Sequence, residues 1–292
     1  MFKCRSLILV SALFISACDS HRVTQKLRLI KAYTVDTKGF LEPSGLTLWD
    51  GEFYTISDKQ DRIYHLKFEQ NKIIMEPIIK IMNNRNSKLD FEGITHDQDN
   101  FYLVSEKYFQ ILKVSKDGSQ QNWLSTDDHI QQAGKNVGLF QTHNANFEGI
   151  CLMQNNVFLL AAERQPRGFM EIDMAQNVLK AYQKSKPVFN YQGERSADFT
   201  GLSCDDGMYA LDRNADMVAK LRIKKGEYQE IKGYSYQHIV NQPQFKYLDM
   251  KYGQAEGLVV KGNKVYIILD NNRGYHENNS GNNNSLFLEM SK

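Results

Sequence analysis

The sequence predicts an all-β fold, a five-bladed β-propeller whose N-terminal strand completes the last blade. Three observations predict it. A short glycine motif recurs five times, each copy is followed by the same run of turn and strands, and the last copy lacks a strand that the N-terminus can supply. The motif reads PSGLT at 43–47, FEGIT at 91–95, FEGIC at 147–151, FTGLS at 199–203 and AEGLV at 255–259. Its glycines, Gly45, Gly93, Gly149, Gly201 and Gly257, are 48, 56, 52 and 56 residues apart, a period suited to four strands and their loops.

The elements follow in the same order in each copy. After the motif strand comes a turn signal: Asp50-Gly51, Asp99-Asn100, Asn155-Asn156, Asp206-Gly207 and Gly262-Asn263. An apolar second strand ends in an acid each time, at Asp58, Glu106, Glu163, Asp212 and Asp270. A third strand follows (RIYHLKF, FQILKVS, RGFMEID, MVAKLRI, SLFLEM), and Lys116-Asp117-Gly118 and Lys225-Gly226 mark turns toward a fourth. The fifth copy ends at Lys292 after its third strand, and LRLIKAYTV at 27–35 is the available fourth, removing an open edge. Short helices are expected in the insertions at 127–145 and 237–252. Six blades is the alternative, if an insertion conceals a degenerate copy.

The first residues read as an export signal. Lys3 and Arg5 precede an apolar stretch, Leu7 to Ile15, too short to span a bilayer. Ile15-Ser16-Ala17-Cys18 resembles a bacterial lipobox, which implies cleavage after residue 17 and lipidation of Cys18. Asp19 then suggests retention at the inner membrane, with the protein facing the periplasm. The expected organisation is a signal at 1–17, a tether at 18–26 and one domain at 27–292. Loss of Lys3 and Arg5 turns 36 basic and 34 acidic side chains into 34 and 34. That balance argues against nucleic acid as a partner but leaves room for a local anion site. With Cys4 and Cys18 assigned to the signal and the anchor, Cys151 and Cys204 remain. Buried free thiols are the favoured reading, because neighbouring inner strands would hold them apart; a disulfide is the alternative.

Candidate chemistry gathers at the motif. Ser44, Glu92, Glu148, Thr200 and Glu256 occupy equivalent places at the channel mouth. Three converging carboxylates need neutralising, so Glu92, Glu148 and Glu256 are candidate ligands of calcium. The competing neutraliser is basic, because the second-strand acid is followed by Lys59, Lys107, Arg164, Arg213 and, after Asn271-Asn272, Arg273. These bases either form ion pairs between blades or, as Lys107, Arg164, Arg213 and Arg273, hold an anionic ligand. A metal beside basic groups suits ester or phosphoester hydrolysis. No GxSxG, HExxH, P-loop, GxGxxG or EF-hand motif is present. Among the histidines, His129 and His143 in the second copy's insertion are the ones to test.

The segments FEGICLMQNNVFLLAAERQPRGFMEID (147–173) and EGLVVKGNKVYIILDNNRG (256–274) resemble the phytase-like family, described by esterase-like activity. The exported SdiA-regulated propellers are similar in style. Gluconolactonase- and paraoxonase-type propellers are more distant, and their channel calcium supports a metal here by analogy. The chain lacks the Asp-rich calcium loops of catalytic phytases, so phytate itself is not taken as the substrate. The resemblance implies a calcium-assisted hydrolase acting on a small anionic or ester ligand. The alternative is a non-enzymatic propeller that binds a ligand or an envelope protein.

Overall fold

A computed structural model describes residues 24–36, 41–124, 129–164, 166–175, 177–184, 188–189, 196–248, 253–278 and 281–292. The expected signal and Cys18 lie outside the described residues. The chain opens with β1 (Thr24–Lys26) and β2 (Arg28–Asp36). The first four-stranded run is β3 (Pro43–Trp49), β4 (Glu52–Ser57), β5 (Gln60–Glu69) and β6 (Lys72–Lys80). The second is β7 (Phe91–His96), β8 (Asn100–Ser105), β9 (Gln110–Ser115) and β10 (Gln121–Trp123), followed by α1 (His129–Asn136). The third is β11 (Phe147–Leu152), β12 (Val157–Ala162), β13 (Gly168–Asp173) and β14 (Val178–Gln183). The fourth is β15 (Phe199–Ser203), β16 (Tyr209–Asp212), a 3₁₀ turn at Arg213–Ala215, β17 (Met217–Lys224) and β18 (Glu227–Ser235). Then come α2 (Gln237–Val240), β19 (Ala255–Lys261), β20 (Lys264–Leu269) and β21 (Ser285–Ser291).

Each run is an antiparallel meander, and β2 pairs antiparallel with β21 as the fourth strand of the last. Among the described residues the sheets number four, because Thr34–Asp36 of β2 also pairs in parallel with Lys72–Ile74 of β6. That contact joins the last run to the first in one eight-stranded sheet. β1, within the expected tether, adds in parallel to the outer strand β18. Both expected helices form inside the predicted insertions.

The second strands are mostly apolar because both faces are covered. In β12 every residue from Val157 to Ala162 is buried. Five apolar clusters fill the spaces between successive runs. One of them joins Val259, Ile268 and Phe287 of the last run to Leu46, Tyr64 and Leu66 of the first. Hydrophobic burial between sheets is therefore the main cohesive term, since no run could cover its own two faces.

The repeated glycine has a specific cause. A Cβ on Gly149 would lie 3.2 Å from the backbone of Gly201 and Leu202, and one on Gly93 would lie 3.0 Å from the Glu148 carbonyl oxygen. Gly45 meets Gly93 and Ile94, Gly201 meets Leu258, and Gly257 meets Leu46 and Gly45. Each inner strand thus presses its glycine against the next, and the last against the first. The space left between them is about 10 Å³, room for a single water.

The same contact corrects the reading of the cysteines. Cys151 and Cys204 are bridged, with Cα atoms 5.7 Å apart. Gly149 lies beside Gly201 and Leu202 together, so β11 and β15 are staggered by about one residue. That stagger cancels the one-residue offset of the two cysteines in the motif.

Candidate active site

At the start of four inner strands the ladder slips by one residue, between Phe91 and Gly93, Phe147 and Gly149, Phe199 and Gly201, and Ala255 and Gly257. In β3 the irregularity lies between Pro43 and Leu46. The residue left out of the ladder is Glu92, Glu148, Thr200, Glu256 or, in the first copy, Ser44 with its glycine. A bulge re-aims the side chain it releases. Ser44, Glu92, Glu148 and Glu256 then line one cavity of about 440 Å³, while Thr200 borders the small space between the inner strands. The two hydroxyls are spent on structure: Ser44 Oγ donates to the Phe91 carbonyl at 2.6 Å and Thr200 Oγ1 to that of Ala255 at 2.7 Å. The three carboxylates face the cavity.

The second-strand acids bring the rest. The Glu106 backbone N–H donates to the Asp90 carbonyl at 2.9 Å, and that of Glu163 to Asn146 at 2.8 Å. Asp270 N–H likewise reaches the Gln254 carbonyl at 2.7 Å. These bonds hold Glu106, Glu163 and Asp270 beside the motif residues. Asp212 departs from the pattern, pairing at 2.8 Å with the fully buried Arg167, which also reaches Glu230 at 3.0 Å.

Arg213 is the electrostatic hub. Its Nε is 2.8 Å from Asp198, Nη2 is 2.5 Å from Glu163, and Nη1 pairs with Glu256. Burial opposes its charge, but Asp198, Glu256 and Glu148 more than offset that and raise its pKa well above the ordinary value. Arg164 pairs with Glu163 and lies 4.0 Å from Asp198. At the rim Lys59 bridges Glu42 (2.6 Å) and Asp58 (2.5 Å), while Arg273 reaches Glu42 at 3.2 Å from a half-exposed position. Lys107 is exposed, does not line the cavity and makes no ion pair among the described residues. The structure therefore gathers Glu92, Glu148, Glu256, Arg164 and Arg213, places Arg273 at the edge and leaves Lys107 outside. His129 and His143 are exposed and do not line the cavity, although Asn144 beside His143 does.

Glu92 and Glu148 have no hydrogen bond or ion pair among the described residues. Desolvation in the recessed cavity, with Asp58 and Glu106 nearby, holds the Glu92 carboxyl well above the usual range. Burial and the neighbouring Glu92 do the same to Glu148. Glu256 is pushed up to about 7 by burial, against the pull of Arg213. Asp270 is pushed up to about 8 by burial and by Glu256. Acids of this kind hold and release protons near neutrality, and guanidiniums beside them can hold negative charge on a substrate.

Sequence reasoning missed Glu42, Asp90 and Asp198, although a signal was present. The residue before the motif is Glu42, Asp90, Asn146, Asp198 or Gln254, an acid or its amide in every copy.

The family described as Phytase-like, with esterase-like activity of phytase, matches residues 38–273. The chain belongs to the phytase-like family. No curated protein sequence matches this phytase-like chain. Among solved structures it is similar to a glutaminyl cyclase of Myxococcus xanthus, with a TM-score of 0.58 and 14% identity over 92% of this chain and 97% of that one. It is also similar to the PQQ-bound aldose sugar dehydrogenase of Streptomyces coelicolor, with a TM-score of 0.51 and 12% identity over 91% of this chain and 98% of the other. Both are β-propeller enzymes, and the β-propeller is the fold the phytase-like chain shares with them.

Proposed function

We propose that the chain is an exported, lipid-anchored β-propeller of five blades that hydrolyses a small anionic ester or phosphoester in this cavity, assisted by calcium. Membership of the phytase-like family supports a hydrolase. The observation that carries the reading is the pair Glu92 and Glu148, whose side chains have no hydrogen bond or ion pair among the described residues, in a cavity that also presents Arg164 and Arg213. In this reading one carboxyl takes the proton of an attacking water while the other donates to the departing oxygen. The two arginines orient the substrate and hold the charge that develops on it. A bound calcium would polarise the ester or phosphoryl oxygen, and carboxylate oxygens are the hard donors that such an ion prefers. Five clusters between five runs, and glycine contacts that return from Gly257 to Gly45, support five blades over six. The lipobox ending at Cys18 supports anchoring at the periplasmic face of the inner membrane. The Cys151–Cys204 bridge suits an oxidising compartment.

The test is turnover of nitrophenyl esters and nitrophenyl phosphates by the full chain, with calcium and with a chelator. Glu148→Gln is expected to lower kcat/KM by about 100-fold or more. Activity that survives both the chelator and Glu148→Gln sinks the proposal. A second reading, a propeller that binds an anionic ligand or an envelope protein without turnover, is favoured by the pairing of Arg213 with three carboxylates. It predicts ligand binding with no hydrolysis of either substrate class.

A further inference from the structure

Charge in the cavity is unbalanced on one side. Glu92, Glu106, Glu148, Glu163 and Glu256, with Asp198 buried beside them, meet two guanidiniums among the described residues there, those of Arg164 and Arg213. The imbalance is uneven within that group. Arg213 is committed to Asp198, Glu256 and Oε1 of Glu163, and Arg164 pairs with that same Glu163 oxygen, so Glu256 is already neutralised and Glu163 has only Oε2 to offer a further ligand. On the far side of Glu163 lie Glu106 and Glu148, and each of the three offers an oxygen within 4.8 Å of the others. Two ligands on opposite sides of a calcium ion are about 5 Å apart, so these oxygens can share one ion without moving the strands.

Two independent observations point to a ligand between them. Glu163 is 1% exposed, and its second oxygen, Oε2, is out of reach of water and has no hydrogen-bond partner among the described residues. A buried carboxylate oxygen without a partner is costly. Glu148 is 8% exposed and likewise has no hydrogen bond or ion pair among the described residues. Glu106 is 4% exposed, and its Oε1 is held by the Asn146 backbone N–H at 2.9 Å, which fixes the carboxylate's direction. Three scaffolding features therefore aim three oxygens at one point: the ladder slip at Glu148, and the second-strand ends at Glu106 and Glu163.

We infer that Glu106, Glu148 and Glu163 form a divalent-cation site with a preference for calcium, with Glu256 outside it. This deepens the calcium part of the proposed function by assigning the ligands, but it requires no turnover. The ligand set is one carboxylate per residue from two neighbouring copies, with cavity water completing the coordination. Arg213 and Arg164 are positioning residues here, both holding Glu163 through Oε1.

Isothermal titration of the chelator-treated full chain, purified in detergent, with calcium chloride tests the site. Saturable binding and a calcium-dependent rise in Tm are expected. Glu148→Gln should weaken calcium binding by about tenfold or more, while Glu256→Gln should change it by less than about threefold. Absence of saturable heat and of a Tm shift in the wild type overturns the site without requiring any variant to fold. Equal losses in Glu148→Gln and Glu256→Gln overturn the assignment of ligands. Calcium binding without hydrolysis upholds the site and removes the hydrolase reading; hydrolysis with no calcium binding overturns the site and leaves a hydrolase that works without calcium.

Discussion

Asp270 is an acid whose environment works against its charge. It is 8% exposed, it accepts from the Asn272 N–H at 2.9 Å, and the charges that act on it are other acids, chiefly Glu256, with Glu42 and Asp58. Its carboxyl ionises near pH 4 in the unfolded chain and at about 8 in the folded one. Between those values the folded protein keeps a proton that unfolding releases. Stability contributed by the neutral acid is therefore complete below about pH 4 and is lost as pH rises through 8. The loss is at most ~1.4 kcal/mol per pH unit for one group. Calcium-free protein should thus show a Tm that falls from pH 5 to pH 8, and Asp270→Asn should flatten that slope. Parallel profiles for the two proteins would contradict the role given to Asp270.

At the scale of the element, the inner strand does two jobs with adjacent residues. The slipped residue points into the cavity, and the glycine after it allows the next strand to come close. An alanine at 257 would put its Cβ 2.5 Å from that of Leu46 and 2.8 Å from the Gly45 backbone, where nothing flexible can yield. Gly257→Ala is expected to cost about 3 kcal/mol by overpacking. Gly51, in the turn after β3, is a glycine for another reason: its φ is +85° and nothing lies within 4 Å of a Cβ there. Gly51→Ala should cost only about 1 kcal/mol, as backbone strain. Urea unfolding of both variants checks the order, and a Gly257→Ala loss no larger than that of Gly51→Ala would refute the packing argument.

For the whole molecule, the Cys151–Cys204 bridge ties the third run to the fourth across a separation of 53 residues. Closing a loop of that length removes chain entropy worth about 4 kcal/mol from the unfolded state. Cys204→Ser, or reduction of the folded protein, should lower stability by an amount of that order. Cavity chemistry should persist, because the five apolar clusters still hold the runs together. A variant as stable as the wild type would mean that the strands are held without the bridge.

How much of this was open to the sequence follows from the physics of each feature. The all-β class, the four-strand period and the place of residues 27–35 beside β21 were legible because repetition and alternation are local properties of the chain. Glu92, Glu148 and Glu256 were legible as one ring because they share a motif position. Their roles were not. Whether a carboxylate stands free or meets a guanidinium depends on which copy supplies the partner, and Arg213 reaches Glu163 and Glu256 across 50 and 43 residues. The cysteine bridge was hidden for the same reason, since the one-residue stagger of β11 on β15 exists only once the inner strands pack. Local pattern determined the blade; the contacts between blades, which no single copy encodes, decided where charge is left unpaired and so where chemistry can occur.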